Sequence, residues 1–212
     1  MASQAETIDA LLSSVPVMPV LVIEDVAHAL PLCDALKAGG INAVEITLRT
    51  SAALEAVRTV AAERSDMVIG TGTVLTEADL KASADAGAQF AVSPGLTPSL
   101  AEAARPYHEC CPLLPGVAKA SEAMQAAEWG FERLKFFPAE PAGGAPYLGG
   151  IKGPLPHLKF CPTGGIKPEK VAGYKAVGNV FTVGGSWLAP KAMLESGDWA
   201  GIEALAREAA AL

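Results

Sequence analysis

Residues 133–140, RLKFFPAE, place a lysine in the middle of a short apolar strand. Because side chains alternate along a strand, Leu134 and Phe136 face one way, whereas Lys135 faces the other way together with Arg133. A lysine on the inner side of a buried strand loses much of its hydration, which favours the neutral amine, and a neighbouring cation such as Arg133 acts in the same direction. A neutral amine attacks carbonyl groups, so Lys135 is a candidate nucleophile for Schiff-base chemistry. The alternative is a lysine that reaches solvent from the strand end.

Length and composition indicate a single domain. The chain has 212 residues, enough for one well-buried core, so we predict one domain over residues 1–212 that begins with a short helix at 7–12. Half of the residues are hydrophobic and 18% are charged, which favours a homo-oligomer whose subunits cover apolar surface. The net charge of −7, without a cluster of basic residues, argues against nucleic acid or an anionic membrane as a partner.

The cysteines and histidines have no spacing typical of a disulfide framework or a metal site. We therefore expect reduced thiols in a cytoplasmic protein and no metal ion. The first nine residues are polar, unlike a signal peptide, and no apolar run approaches the roughly 18 residues of a membrane span. The cysteines and histidines of the chain are Cys33, Cys110, Cys111, Cys161, His28, His108 and His157.

Strand-like and helix-like segments alternate along the whole chain. The strand candidates are residues 17–23, 42–48, 67–74, 90–93, 112–117, 133–137, 159–163 and 179–183. Regular alternation of this kind predicts parallel strands with crossover helices, and eight such units predict a (β/α)8 TIM barrel. An open, doubly wound sheet is the alternative architecture.

Local signals predict where several helices begin. Ser51, Thr76 and Thr97 are candidate N-caps, and Pro98 suits the first helical position. The glycine-rich residues 142–150 predict a loose connection with at most a short helix.

Polar side chains in the second and third strands are expected at the barrel mouth. In residues 44–49 the apolar residues face the helices, so Glu45, Thr47 and Arg49 face the barrel interior or its mouth. We interpret Glu45 as a proton shuttle and Arg49 as a ligand for a substrate carboxylate; a structural ion pair is the alternative. Thr71 and Thr73 share one side of the third strand.

Two late glycine pairs predict a phosphate site. The first, Gly164-Gly165, follows Thr163 after strand seven; the second, Gly184-Gly185, precedes Ser186 after strand eight. Barrels often bind phosphate through backbone N–H groups in these two places. A lysine nucleophile, a proton shuttle, a carboxylate ligand and a phosphate site on one face suit a phosphorylated 2-keto acid.

Six motifs in one order span nearly the whole chain: EITLRT at 45–50, GTGT at 70–73, FAVSPG at 90–95, KFFPAE at 135–140, CPTGGI at 161–166 and GGSWL at 184–188. Together they closely resemble the bacterial 2-keto-3-deoxy-6-phosphogluconate (KDPG) aldolases. The resemblance implies a TIM barrel, a homotrimer, and a class I aldol cleavage without metal or cofactor, to pyruvate and glyceraldehyde 3-phosphate, in the Entner-Doudoroff pathway. Many such enzymes also cleave 4-hydroxy-2-oxoglutarate (KHG) to pyruvate and glyoxylate.

The resemblance also implies roles for individual residues. Lys135 resembles the Schiff-base lysine, Glu45 the general acid/base, and Arg49 with Thr73 the pyruvate-carboxylate site. The remaining implied substrate contacts are the pocket walls Pro94 and Phe137, the hydroxyl-sensing Thr163, and the phosphate ligands Gly164, Gly165, Gly184, Gly185 and Ser186. One departure is Val22, where several relatives have an arginine near the ligand, so phosphate binding is expected to depend more on amides and Ser186.

Three other functions remain open at this point. The first is an aldolase for the galactonate epimer, although the polar Thr163 favours the gluconate sugar. The second is a phosphosugar isomerase or epimerase, and the third is a non-catalytic barrel that binds phosphometabolites. Neither of the last two needs a lysine adduct.

Overall fold

The computed structural model describes residues 2–212, in which short strands alternate with helices. The strands are β1 (Val17–Leu21), β2 (Ala43–Thr47), β3 (Val68–Gly72), β4 (Phe90–Val92), β5 (Leu113–Leu114), β6 (Gly116–Val117), β7 (Arg133–Phe136), β8 (Lys159–Pro162) and β9 (Val183–Gly185). The helices are α1 (Gln4–Leu12), α2 (Ala29–Ala38), α3 (Ala53–Glu63), α4 (Glu77–Asp85), α5 (Pro98–Ala104), α6 (Ala120–Glu128), α7 (Gly144–Lys152), α8 (Val171–Lys175), α9 (Lys191–Ser196) and α10 (Trp199–Ala210). Within residues 2–212, no helix combines the length and apolar character needed to cross a membrane.

The strands form two parallel sheets whose edges meet. The larger sheet has the order β5-β4-β3-β2-β1-β9, and the smaller sheet has the order β6-β7-β8. Only Pro115 separates β5 from β6 along the chain, and parallel bridges join Phe160 to Val180 and Thr163 to Gly184. The ladders between neighbouring strands are parallel, which confirms the pairing predicted from the β-then-α alternation.

Strand side chains alternate between two apolar clusters. Val44 of β2 and Leu134 of β7 belong to the larger cluster, which packs the strands against the helices. Ala43 of β2 belongs to a smaller cluster on the opposite side of the strands, which we call the inner face, together with Ile8 and Leu12 of α1. Because alternation has a period of two, Glu45 and Lys135 share the inner face.

The structure corrects the predicted bounds of two strands. The strand predicted at 112–117 is divided at Pro115, because proline has no N–H to donate to a ladder. The last strand lies at Val183–Gly185 rather than at 179–183, because residues 179–181 form only an isolated bridge to β8, in which Phe160 N–H donates to Asn179 O and Phe181 N–H donates to Phe160 O. Gly184 and Gly185 are therefore strand residues that pair with β1, not a turn that follows a strand.

Helix starts follow the local signals in most cases. Thr76 and Thr97 accept hydrogen bonds from backbone N–H groups three residues on, which confirms both N-caps. Ser51 is wrong as a cap, because α3 begins at Ala53 without a side-chain cap. The first helix begins at Gln4, earlier than predicted, because Ser3 and Glu6 form a capping box.

The glycine-rich segment after β7 is more regular than its composition predicts. Helix α7 spans nine residues, Gly144–Lys152, so the prediction of at most a short helix is wrong. Gly143 precedes the helix with φ 108°, a conformation that residues with a Cβ rarely adopt. Leu148 of this helix is fully buried in the larger cluster, and this packing offsets the low helix propensity of the glycines.

Gln4 of α1 links the two sheets at the beginning of their strands. Its Nε2 donates to Leu113 O of β5 and to Arg133 O of β7, each at 2.9 Å. Its Oε1 accepts from the N–H groups of Glu132 and Arg133 at 3.3 and 3.2 Å. The Gln4 side chain is fully buried, and three of these four hydrogen bonds, those to Leu113 and Arg133, are buried as well.

We therefore expect Gln4→Ala to reduce the free energy of unfolding by about 2–4 kcal/mol, because buried backbone groups lose their partners. Urea unfolding followed by circular dichroism measures the change. Gln125→Ala on the exposed face of α6 is the matched control and should change stability by less than about 0.5 kcal/mol. Equal effects of the two substitutions would contradict the bridging role of Gln4.

Candidate active site

A buried lysine and a buried glutamate meet on the inner face. Lys135 Nζ of β7 lies 3.3 Å from Glu45 Oε1 of β2. The two residues are 5% and 1% exposed, so water screens this contact weakly. The proximity predicted from the strand pattern is thereby confirmed. At this distance Glu45 can accept a proton from the Lys135 ammonium, and the amine can then act as a nucleophile.

The glutamate has space only because the neighbouring strand carries a glycine. Gly72 of β3 pairs with Thr47 of β2, and a Cβ at this position would collide with Glu45 Oε1. The other carboxylate oxygen, Oε2, is buried and has no hydrogen-bond partner among residues 2–212. A buried carboxylate oxygen without a partner is costly, so Oε2 is available to a water molecule or a substrate hydroxyl.

Arg133 does not act on the lysine in the way predicted from the sequence. Its guanidinium binds the Asp9 carboxylate of α1 through Nε and Nη2, at 2.7 and 2.6 Å. Although burial raises the pKa of Asp9, the hydrogen bonds from Arg133 outweigh it and hold that pKa below its usual value. The positive charge of Arg133 is thus neutralised at the helix-covered end of the strands.

Phe137 lies close to the lysine, directly after the end of β7. Lys135 Nζ is 5.3 Å from the centre of the Phe137 ring, within the range of a cation–π contact. The same ring lines a cavity of about 340 Å³ together with Pro94 and Gly116. A Cβ at Gly116 would collide with Pro94 O, and Gly116 is the ladder partner of Lys135. The predicted pocket walls Pro94 and Phe137 therefore share one cavity beside the lysine strand.

Arg49 and Thr73 form the polar pair predicted at the mouth. Arg49 Nε donates to Thr73 Oγ1 at 3.0 Å, and Arg49 is exposed. Thr73 has φ 62°, which is uncommon for a residue with a β-branched side chain.

Thr71 does not share the side of Thr73. Its hydroxyl donates to Ser83 Oγ of α4 at 2.8 Å, among the helices. The prediction that Thr71 and Thr73 share one side of the third strand is wrong, because the backbone leaves the strand at Thr73.

Thr163 lies between the lysine strand and β9. It is 7% exposed, and its Oγ1 is 3.8 Å from Cys161 Sγ. A Cβ at Gly184 would collide with the Thr163 hydroxyl, so that glycine provides the space for it. Burial raises the pKa of Cys161, the ladder partner of Lys135, to about 12, and this thiol therefore stays neutral beside the reactive pair.

The first predicted phosphate turn packs against the segment that follows the lysine strand. Gly164 and Gly165 have φ values of 108° and 77°, which only glycine adopts readily. The Thr163 and Gly164 carbonyls accept hydrogen bonds from the N–H groups of Ala139 and Glu140, at 2.8 and 3.1 Å. These contacts hold the turn directly beside the end of β7.

The second predicted phosphate segment opens into a different cavity. Ser186 is exposed and lines a cavity of about 430 Å³ together with Val20 and Val22. Val22 is 39% exposed, so this apolar side chain, noted in the sequence as a departure from several relatives, is open to the cavity. Glu24 and Lys191, which are 3.1 Å apart, line the same cavity.

Comparison with known proteins identifies the family. The family described as KDPG and KHG aldolase matches residues 8–205 of the chain. The chain belongs to this aldolase family. It is 45% identical over 201 residues to the KHG/KDPG aldolase of Escherichia coli K12, covering 95% of this chain and 93% of that protein. It is 48% identical over 202 residues to a 2-dehydro-3-deoxy-phosphogluconate aldolase of Pseudomonas aeruginosa, covering 95% and 91% respectively.

A solved aldolase structure supports the comparison at the level of the fold. The KDPG aldolase of Legionella pneumophila, captured with pyruvate as a covalent carbinolamine intermediate, has a TM-score of 0.90 to this chain. The two chains are 43% identical, and the match covers 93% of this chain and 95% of the Legionella chain.

Several packing roles in this aldolase site were missed in the sequence, although Gly184 itself was predicted as a phosphate ligand. Gly72, Gly116 and Gly184 leave space for the side chains or backbone of neighbouring strands, and Cys161 lies beside the lysine. Gly72 and Gly184 belong to motifs that were identified in the sequence. Their role in packing, however, depends on which residue of another strand faces each glycine. That information is absent from the local sequence.

We expect Gly72→Ala to lower aldolase activity about 100-fold, because the new methyl group displaces the Glu45 carboxylate from Lys135. Rates of pyruvate release measure the effect, with thermal unfolding as a check on folding. Gly150→Ala, where a Cβ meets open space, is the matched control and should leave the rate unchanged. Activity of Gly72→Ala close to that of the control would contradict this account.

Proposed function

We propose that this chain is a class I aldolase that cleaves KDPG to pyruvate and glyceraldehyde 3-phosphate through an imine on Lys135. The buried contact between Lys135 and Glu45 is the observation that carries the proposal, because it supplies a nucleophile and a proton acceptor within 3.3 Å. Family membership and the carbinolamine of the Legionella relative support the same chemistry.

In the proposed reaction, the neutral Lys135 amine adds to C2 of the keto acid and forms a carbinolamine. Loss of water then gives a protonated imine, with Glu45 taking up and returning the protons. The imine accepts the electron pair of the C3–C4 bond as that bond breaks, and the C4 hydroxyl loses its proton to become the aldehyde. Protonation of the enamine at C3 and hydrolysis release pyruvate. The imine is itself the electron sink, so the proposal requires no metal or cofactor.

We assign the two ends of the substrate, its carboxylate and its phosphate, to two different polar regions of the chain. Arg49, oriented by Thr73, is proposed to bind the carboxylate through charge-assisted hydrogen bonds. The amides of the two glycine segments and the Ser186 hydroxyl are proposed to bind the phosphate, and Thr163 to contact a sugar hydroxyl. Pro94 and Phe137 form walls of the pocket. The residues proposed to bind phosphate are Gly164, Gly165, Gly184, Gly185 and Ser186.

The wider architecture is also part of the proposal. Because the two parallel sheets meet at Pro115 and at the bridges to β8, we propose one closed (β/α)8 barrel that forms a single domain over residues 1–212. A homotrimer would cover exposed apolar side chains such as Leu75 and Met124. A cytoplasmic location suits the free thiols of Cys33, Cys110, Cys111 and Cys161.

We expect Lys135→Ala to abolish both pyruvate release and covalent trapping of pyruvate by borohydride. Glu45→Gln should lower turnover about 10²–10⁴-fold but retain some trapping, because the amine remains in place. Mass spectrometry after borohydride reduction locates the adduct, and Lys81→Ala, an exposed lysine of α4, is the control. An unmodified Lys135 in the starting protein would refute the covalent mechanism; it would leave the isomerase, epimerase and non-catalytic alternatives.

Substrate preference is tested with a lactate dehydrogenase assay for pyruvate. We expect faster cleavage of KDPG than of its galactonate epimer, because the Thr163 hydroxyl can hydrogen-bond the gluconate-type sugar. Cleavage of 4-hydroxy-2-oxoglutarate should be measurable in the same preparation, since the reacting end of that substrate is the same. A higher rate on the galactonate epimer would overturn the assignment in favour of the epimer-specific aldolase.

A further inference from the structure

Glu140, the last residue of the KFFPAE motif, connects three segments beside the proposed phosphate site. Its Oε1 accepts a hydrogen bond from Tyr174 Oη of α8 at 2.6 Å, and its Oε2 forms an ion pair with Lys170. Hydrogen bonds from Lys170 and Tyr174 lower the pKa of Glu140, so the carboxylate is ionised at neutral pH. Tyr174 is 1% exposed, which fixes the hydroxyl at this point.

The backbone of the same residue contacts the glycine turn. The Glu140 N–H donates to Gly164 O at 3.1 Å. A Cβ at Gly165 would lie 3.1 Å from Glu140 Cβ, so the turn packs closely on this side chain. The side chain of Glu140 therefore connects the turn to α8. The backbone of Glu140 connects the turn to the end of the lysine strand.

We propose that Glu140 is a positioning residue for the phosphate end of the substrate, and that it acts by holding the 163–165 turn against α8 through Tyr174. The proposal rests on the aldolase function proposed above. Backbone N–H groups bind phosphate well only when their directions are fixed beforehand, because ordering a mobile turn during binding reduces affinity. Lys135 and Glu45 have their own supports in β7 and β2, so the reacting end should be affected much less.

The test separates the two ends of the substrate. Tyr174→Phe and Glu140→Ala should each raise KM for KDPG about five- to tenfold, with kcat nearly unchanged. Borohydride trapping of pyruvate, which has no phosphate, should remain as in the starting protein. Inorganic phosphate should inhibit KDPG cleavage less strongly in both variants, by a similar factor.

Two further variants test whether Glu140 and Tyr174 act through one contact. The double variant Glu140→Ala/Tyr174→Phe should have a KM close to that of Glu140→Ala, because the second substitution removes a contact already lost. Glu140→Gln should restore part of the affinity, since the amide oxygen can still accept from Tyr174.

Two control variants remove the same kinds of group as the test variants, a carboxylate charge and a phenol hydroxyl, from other residues. Glu169→Gln changes an exposed acid that lines a cavity of about 380 Å³ together with Glu140 and Tyr174. Tyr147→Phe removes a phenol from α7, whose ring stacks on Phe136. Neither control should change KM for KDPG, and thermal unfolding of all variants verifies that they are folded.

The outcomes separate this inference from the proposed function. Absence of pyruvate trapping in the starting protein would overturn both. If the starting protein traps pyruvate, an unchanged KM in Tyr174→Phe would overturn the positioning role alone. Equal losses of trapping, kcat and phosphate inhibition in folded variants would also overturn it, because Glu140 would then support the whole site and not its phosphate end.

Discussion

The site depends on the contact between Lys135 and Glu45 across the inner face. Removing both charges from water is costly, and each one makes the burial of the other tolerable. The contact joins β2 to β7, which are not neighbours in either sheet, so it depends on how the two sheets meet. Gly72 provides the space that allows the carboxylate to reach the amine.

The N-terminal and C-terminal ends of the strands have different roles. At the beginning of the strands, α1 covers the inner face, with Gln4 bound to backbone groups of β5 and β7 and Asp9 bound to Arg133. These contacts support the lysine strand from one end and do not approach the reactive pair. At the other end, exposed groups such as Arg49 and Ser186 follow the ends of β2 and β9.

The geometry also changes the explanation for how the lysine becomes reactive. The sequence suggested that lost hydration and the charge of Arg133 favour the neutral amine. Arg133 is instead neutralised by Asp9, and the nearest charged group to the lysine amine is the Glu45 carboxylate. We therefore propose proton transfer to Glu45, and not repulsion by Arg133, as the route to a nucleophilic amine. In the proposed mechanism the same carboxylate returns the proton for dehydration of the carbinolamine.

The sequence by itself determined the parallel strands, the inner position of Glu45 and Lys135, and the caps at Thr76 and Thr97. These features depend on side-chain alternation and on contacts within a few residues, which a local pattern contains. Only the tertiary structure decided the partner of Arg133, the bounds of β9, the role of Gly72 and the connection between Glu140 and Tyr174. Each of these depends on residues far apart in the chain, such as Asp9 and Arg133, 124 positions apart. Such partners become neighbours only when the strands and helices pack, and local patterns cannot specify them.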